Sequence, residues 1–122
     1  MKSYTVTYES RPNFGINKER TVHHMVRAKI TKEWRKAFCE LAQAAMIPHM
    51  EQVEIIIQPY VLNARYRQDV AFGCAPLAKA AIDGLVDAGI LIDDHAQIVV
   101  KLTFLAPKYG KDGLSLTIVQ VK

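Results

Sequence analysis

The sequence predicts an α+β fold, a mixed β-sheet with two main helices packed against it. Three observations predict it. Segments near both ends alternate apolar and polar residues with period two. Two internal segments repeat apolar residues at helical spacing, and stretches bearing Pro and Gly separate these blocks. A chain of 122 residues suits a single domain, 1–122. Half of it is hydrophobic and 23% is charged, so a core can form without disulfide support and a disordered tail is excluded.

Each element has its own warrant. Residues 3–10 place Tyr4, Val6 and Tyr8 on one face and Thr5, Thr7 and Glu9 on the other, a half-buried strand. Residues 11–17, RPNFGIN, have loop composition. Residues 22–46 read as a helix whose apolar stripe is Trp34, Phe38, Leu41, Ala42 and Ala45. Thr31 is the expected N-cap of that stripe, with an earlier start near Val22 as the alternative. Ile47-Pro48 is expected to end it, because the residue before proline is pushed out of the helical region. Residues 53–58, VEIIIQ, are a strand that Pro59 should terminate. Residues 63–68 read equally as a short strand or a loop.

Residues 75–88 form the second predicted helix. Pro76 fits its first turn, Leu77, Ala81, Leu85 and Ala88 make its stripe, and Gly89 is the expected C-terminal stop. A short buried strand is expected over 90–92, running into Asp93-Asp94. Residues 97–105 alternate again, with Ile98, Val100, Leu102 and Phe104 on one face. Residues 106–113 are a turn and 114–121 the last strand.

Several function classes drop out. No apolar run is long enough to span a bilayer, so no membrane partner is expected. The opening MKSYTVTYES lacks an apolar signal core, and a cytoplasmic protein is expected. Cys39 and Cys74 form no CxxC and no zinc spacing, and read as free thiols. The net charge of +4 is a sum of opposites. Residues 1–36 hold nine basic and three acidic residues, residues 37–100 three basic and eight acidic, and the remaining tail is basic. Acids gathered within a basic protein are either solvated helix faces or a cation site.

The informative stretch is 68–99. Asp69 precedes the loop into the second helix, Lys79 and Asp83 lie four apart on one face of that helix, and Asp93 and Asp94 follow it. A strand–helix–strand unit that folds back brings its first and last acids together. Mg²⁺ takes a few carboxylates plus water and phosphate oxygens, and a nearby lysine offsets charge developing on a phosphate. By spacing alone the same residues also read as an ordinary turn at Asp93-Asp94, a solvent-facing Lys79–Asp83 pair and a loop residue at Asp69.

Asp69, the run Lys79-Ala80-Ala81-Ile82-Asp83-Gly84-Leu85 and the run Gly89-Ile90-Leu91-Ile92-Asp93-Asp94 together resemble the RusA family of Holliday-junction resolvases. That family shows an Asp-rich D-x-D-N loop, a K-A-x-x-D-x-L helix and a G-x-x-x-D-D strand end. Asn17, the segment HHMVRAKITKEWR and the terminal strands are also similar, so the resemblance covers most of the chain. It implies a homodimeric, Mg²⁺-dependent endodeoxyribonuclease, with Mn²⁺ a substitute, that binds four-way junction DNA and nicks it symmetrically in recombination and repair. The setting would be a bacterial cell or a phage-infected host. Carried over, Asp69, Lys79, Asp83, Asp93 and Asp94 are the catalytic residues, and Asp69, Asp93 and Asp94 the metal ligands, Asp94 foremost. The chain departs from the family at Ala71 and Phe72, which stand where the loop's second Asp and its Asn fall. Asp83 or a backbone carbonyl would then complete the ligand set, or the protein would bind junctions while cutting weakly or not at all.

The DNA face is expected on Arg20, Arg27, Lys29, Lys32 and Lys36, with Arg65 and Arg67 near the scissile strand. Lys29, Lys32 and Lys36 share a helix face with Arg35 beside it, suited to sequence-independent phosphate contacts. Tyr66 or Phe72 is a candidate for stacking on an unpaired base, His23 and His24 for phosphate contact, and His95 for assisting water or serving a turn. A further reading makes the acids turn residues and the basic face a dock for an acidic protein or RNA.

Overall fold

The computed structural model describes residues 2–12, 14–63, 70–71 and 73–122. It is an α+β domain: β1 (Ser3–Tyr8), α1 (Ile16–Thr21), α2 (His24–Ala44), β2 (Val53–Val61), α3 (Ala75–Asp87), β3 (Val99–Phe104), β4 (Lys108–Tyr109) and β5 (Gly113–Gln120). The strand order is β1-β5-β2-β3, with β4 also on β2. β5 is antiparallel to β1 and to β2, whereas β3 and β4 run parallel to β2. A parallel neighbour needs a crossover, and α3 supplies it.

Alternation decides the faces. Val53, Ile55 and Ile57 of β2 join Leu114, Leu116 and Ile118 of β5, all fully buried, in one core with Trp34, Phe38, Leu77 and Leu85 from the helices. Thr5 meets Thr117 at 2.9 Å and Thr7 meets Ser115 at 2.7 Å through their hydroxyls, on the opposite face. The Tyr8 ring stands edge-on to Trp34 with centroids 4.8 Å apart, tying β1 to α2.

Several boundaries differ from the sequence reading. Loop composition hid α1, which begins at Ile16, after an extended Gly15. α2 starts at His24, close to the earlier of the two expected starts, near Val22, and not at Thr31. Its N-cap is His23, whose Nδ1 accepts the Met25 N–H at 3.2 Å, and Thr31 lies in the helix interior. The helix ends before Pro48 takes effect. Met46 turns left-handed (φ 56°), while Met46 N–H and Ile47 N–H return to Gln43 and Ala42 carbonyls. Gly89 plays the same part for α3, as expected. Its φ is 80°, and Gly89 and Ile90 N–H groups donate to Val86 and Leu85. Residues 90–92 are therefore not a strand. Ile90 and Leu91 are buried because they complete this helix stop, and Ile92 is exposed.

β2 passes through Pro59 to Val61. Ile57 accepts the Leu105 N–H on its outer edge. By strand periodicity Pro59, two residues on, turns its nitrogen to that same edge. There β3 has ended at Phe104 and β4 has not begun, so the missing N–H has no partner to lose. β3 itself carries a register shift: Val53 faces Val99 but Glu54 faces Lys101. The extra residue breaks the expected alternation and leaves Val100 exposed. The expected turn over 106–113 contains the two-residue β4. Residues 64–69 lie outside the described residues, so the reading of 63–68 is not addressed.

Gly84 sets how closely α3 approaches α2. A Cβ there would lie 2.5 Å from the Arg35 carbonyl oxygen, 3.0 Å from the Cys39 nitrogen and 3.1 Å from the Phe38 Cβ. Two of these three atoms are backbone and cannot rotate away. Gly84→Ala is expected to destabilise the fold by about 2 kcal/mol despite alanine's better helix propensity. Urea denaturation checks this; an unchanged or raised midpoint would contradict the contact.

Candidate active site

α3 carries Lys79, Asp83 and Asp87 at four-residue spacing, one polar stripe beside the buried Leu77, Ala81 and Leu85. The helix stop at Gly89 and the buried Ile90-Leu91 turn the chain back along the helix, which returns Asp94 to the level of Lys79. Lys79 Nζ donates to Asp83 Oδ1 at 2.8 Å and also to Asp94 Oδ2. The ammonium thus bridges a carboxylate from the helix and one from the segment after it. Asp94 and Asp83 are part-buried and Lys79 is more exposed. Asp93 is exposed, and its Oδ1 accepts the Asp94 backbone N–H at 2.7 Å, fixing that turn. His95 serves the turn too: its Nδ1 accepts the Gln97 N–H at 3.2 Å.

The charges respond to this arrangement. The hydrogen bond from Lys79 holds Asp94 below the usual carboxylate value, against the opposing effect of burial. Burial works against the charge on Lys79, but the bonds to Asp83 and Asp94 outweigh it and raise its value. Burial alone pushes the Cys74 thiol up to about 11, so this free cysteine is an inert core residue. Cys39 is a half-buried free thiol.

One turn beyond Asp83, Asp87 accepts two bonds from Arg35 of α2, at 2.5 Å from Nε and 2.8 Å from Nη2. This fork links the two helices at the level where Gly84 lets them meet. Sequence reading missed Asp87 and set Arg35 beside a DNA-facing row. The available signal was Asp87 continuing the Lys79–Asp83 spacing by one more turn.

The basic residues divide. Arg27, Lys32 and Arg35 line a groove of about 580 Å³ between α1 and α2, with Glu19, His24 and Thr31. Arg27 is half-buried and donates to the Glu19 carbonyl at 3.4 Å, at the end of α1. Arg20, Lys29, Lys32 and Lys36 are exposed, with Lys36 3.9 Å from Glu40. Lys36 lines a second groove with Lys32, Arg35 and Asp87, so the cationic surface leads to the acidic stripe of α3. On the other side of Lys79 and Asp94 lies a cleft of about 470 Å³, floored by Ala78, Ile82, Leu102 and Phe104. Asp69, Arg65 and Arg67, with Tyr66 and Phe72, lie outside the described residues. Ala71 is described and is left-handed (φ 64°).

Among the described residues, no group of three or more His, Cys, Asp or Glu forms a ready cage. Mg²⁺ does not need one: it is held by one or two carboxylates, with water and phosphate oxygens completing the shell. Asp83 and Asp94 converge from two elements onto a point already held by a cation, the Lys79 ammonium. The residues therefore fit such an ion. Among the described residues no helix is long and apolar enough to cross a membrane. No protein-family model matches the chain and no curated protein matches it.

The Arg35–Asp87 fork makes a pH prediction. The bond from Arg35 holds Asp87 below its ordinary value, against partial burial. A depressed carboxylate contributes stability that is present above the unfolded value, about 3.9, and is lost as pH falls through the folded one. Asp87→Asn is expected to cost about 0.5–1 kcal/mol at pH 7, and the difference from wild type to shrink as pH falls below the ordinary carboxylate range and to vanish once Asp87 is protonated in the folded protein. Urea denaturation across pH measures it.

Proposed function

We propose that the protein is a structure-specific, metal-dependent endodeoxyribonuclease that binds four-way junction DNA and nicks it by phosphodiester hydrolysis. The observation that carries this reading is the Lys79 bridge between Asp83 and Asp94, on a helix whose next polar turn, Asp87, is forked to Arg35 of the basic groove. Carboxylates suited to a hard cation, on a helix joined to a basic surface, are what hydrolysis of a polyanion requires. The motif resemblance to the RusA resolvases supplies the junction as substrate and a homodimer as the working form. Two nicks on opposing strands need two sites related by symmetry.

In this reading Asp94 and Asp83, with Asp93 and Asp69 as further donors, would hold Mg²⁺ or Mn²⁺. When bound, such an ion polarises the scissile phosphate and activates water for attack. The protein's own part is electrostatic. Lys79 donates to the phosphate as negative charge builds. Arg27, Lys32 and Lys36, together with Arg20 and Lys29, bind backbone phosphates without regard to sequence. The cytoplasm of a bacterium or of a phage-infected cell is the matching location.

A second reading, junction binding without efficient cutting, is favoured by Ala71. It stands at a family aspartate position and brings no carboxylate.

The decisive assay compares a synthetic four-way junction with a matched duplex, with Mg²⁺, with Mn²⁺ and without metal. Paired metal-dependent nicks in the junction alone are expected. Tight junction binding without cleavage in either metal leaves the second reading. Equal affinity for duplex and junction excludes both, and an RNA competitor then tests the basic face as a different dock. Asp94→Asn is expected to lower cleavage by at least a hundredfold, about 3 kcal/mol of activation free energy, with junction binding retained. Cutting at the wild-type rate would remove Asp94 from the site. Ala71→Asp is expected to fold normally, because aspartate tolerates the left-handed backbone found there better than alanine does. It should raise the cleavage rate about tenfold at low metal concentration, measured on the same junction.

A further inference from the structure

The Lys79 ammonium is placed where a divalent cation would bind. Its Nζ is shared between Asp83 Oδ1 and Asp94 Oδ2, so both carboxylates spend their charge on one internal partner. The two oxygens that converge on one point, Asp83 Oδ1 and Asp94 Oδ2, are the ones the ammonium holds, so an ion seated between them takes its place. The geometry points to Lys79 as a displaceable counter-cation: a divalent ion gains Asp83 and Asp94 only when Lys79 lets go, and a DNA phosphate accepts the released ammonium. This rests on the nuclease reading for its cation and its phosphate, but it concerns how the two enter rather than what they do.

Three features make displacement practicable. Lys79 has a long flexible side chain, 61% exposed, and so has room to swing away from the helix. It stands at the rim of the open cleft between α3 and β3, whose lining apart from Lys79 and Asp94 is apolar, so no further carboxylate there holds the ammonium. The acids are held independently of it. Asp83 sits on a helix packed at Gly84, and the Asp94 N–H is held by Asp93 Oδ1, so the backbone that carries both carboxylates does not depend on the ammonium.

The consequence is reciprocal coupling. A cation alone must break two ion pairs with nothing to receive the ammonium, so it binds free protein weakly. DNA alone meets an occupied lysine and two acids. Together each removes the other's obstacle, and linkage requires the same factor in both directions. The device keeps the site's affinity for metal low until a phosphate is present.

The test uses Mn²⁺ binding to DNA-free protein, followed by electron paramagnetic resonance, on wild type, Lys79→Gln and Lys79→Met. Both variants keep a long side chain at an exposed position; circular dichroism confirms their fold. Each is expected to bind Mn²⁺ about tenfold more tightly than wild type, within the range of ordinary coupling. In parallel, junction affinity is measured by fluorescence anisotropy with and without Ca²⁺. Ca²⁺ is expected to tighten junction binding by wild type about tenfold and by the variants less than threefold. Variants that bind Mn²⁺ no more tightly than wild type would overturn the displacement while leaving the nuclease reading intact. Absence of Mn²⁺ binding in all three proteins, with and without junction DNA, would overturn both.

Discussion

The close approach of α2 and α3 at Gly84 is the constraint on which the rest of the structure depends. With no side chain at that position, the α3 backbone comes within van der Waals reach of the Arg35 carbonyl and the Cys39 nitrogen. That contact presses Leu77, Ala81 and Leu85 into the core and leaves the stripe of Lys79, Asp83 and Asp87 along the rim. It also brings the Arg35 guanidinium to Asp87, so a charge-assisted fork locks the rotation of one helix against the other. Packing sets the distance between the helices and the ion pair sets their phase.

From this helix pair the site follows by connectivity. α3 crosses over from β2 to a parallel β3, so the segment after the helix must run back past its polar stripe. Gly89 makes the reversal possible, Ile90 and Leu91 anchor it in the core, and Asp94 arrives beside Lys79. On the other side α2 carries its cations toward the same stripe through Lys32 and Arg35. The segregation of charge along the chain is thus converted into a boundary on the surface, with basic groove and acidic stripe meeting at the Arg35–Asp87 fork. A polyanion on the groove would lie next to acids that are each already paired, because Lys79 is shared by Asp83 and Asp94 and Arg35 holds Asp87.

Legibility in the sequence varied with how local the determining physics was. The strand alternation of Tyr4, Val6 and Tyr8, the stripe of Trp34 and Phe38 and the stop at Gly89 were all readable, since each rests on periodicity or on one residue's backbone freedom. α1 was not, because its few residues follow a Pro/Gly loop and bury no side chain completely. Continuation of β2 through Pro59 was invisible for another reason. It depends on the neighbouring edge being interrupted between Phe104 and Lys108, which is a property of the sheet. In the site, the Lys79–Asp83 pair followed from helical spacing, whereas Asp87 went unnoticed because its partner lies on another helix.

What the sequence determined by itself is the class of fold, the two principal helices, the core stripes and the set of chemically capable residues, Lys79, Asp83, Asp93 and Asp94 among them. These are local quantities: side-chain volume, polarity and backbone preference act over a few residues and leave periodic marks. Only the tertiary structure decided which of those residues meet. Lys79 is shared between Asp83 and Asp94, while Asp93 is turned to its own backbone and Arg35 is taken by Asp87. Partners fifteen or fifty-two residues apart are brought together by a crossover and a helix contact, and no local pattern encodes the distance between them.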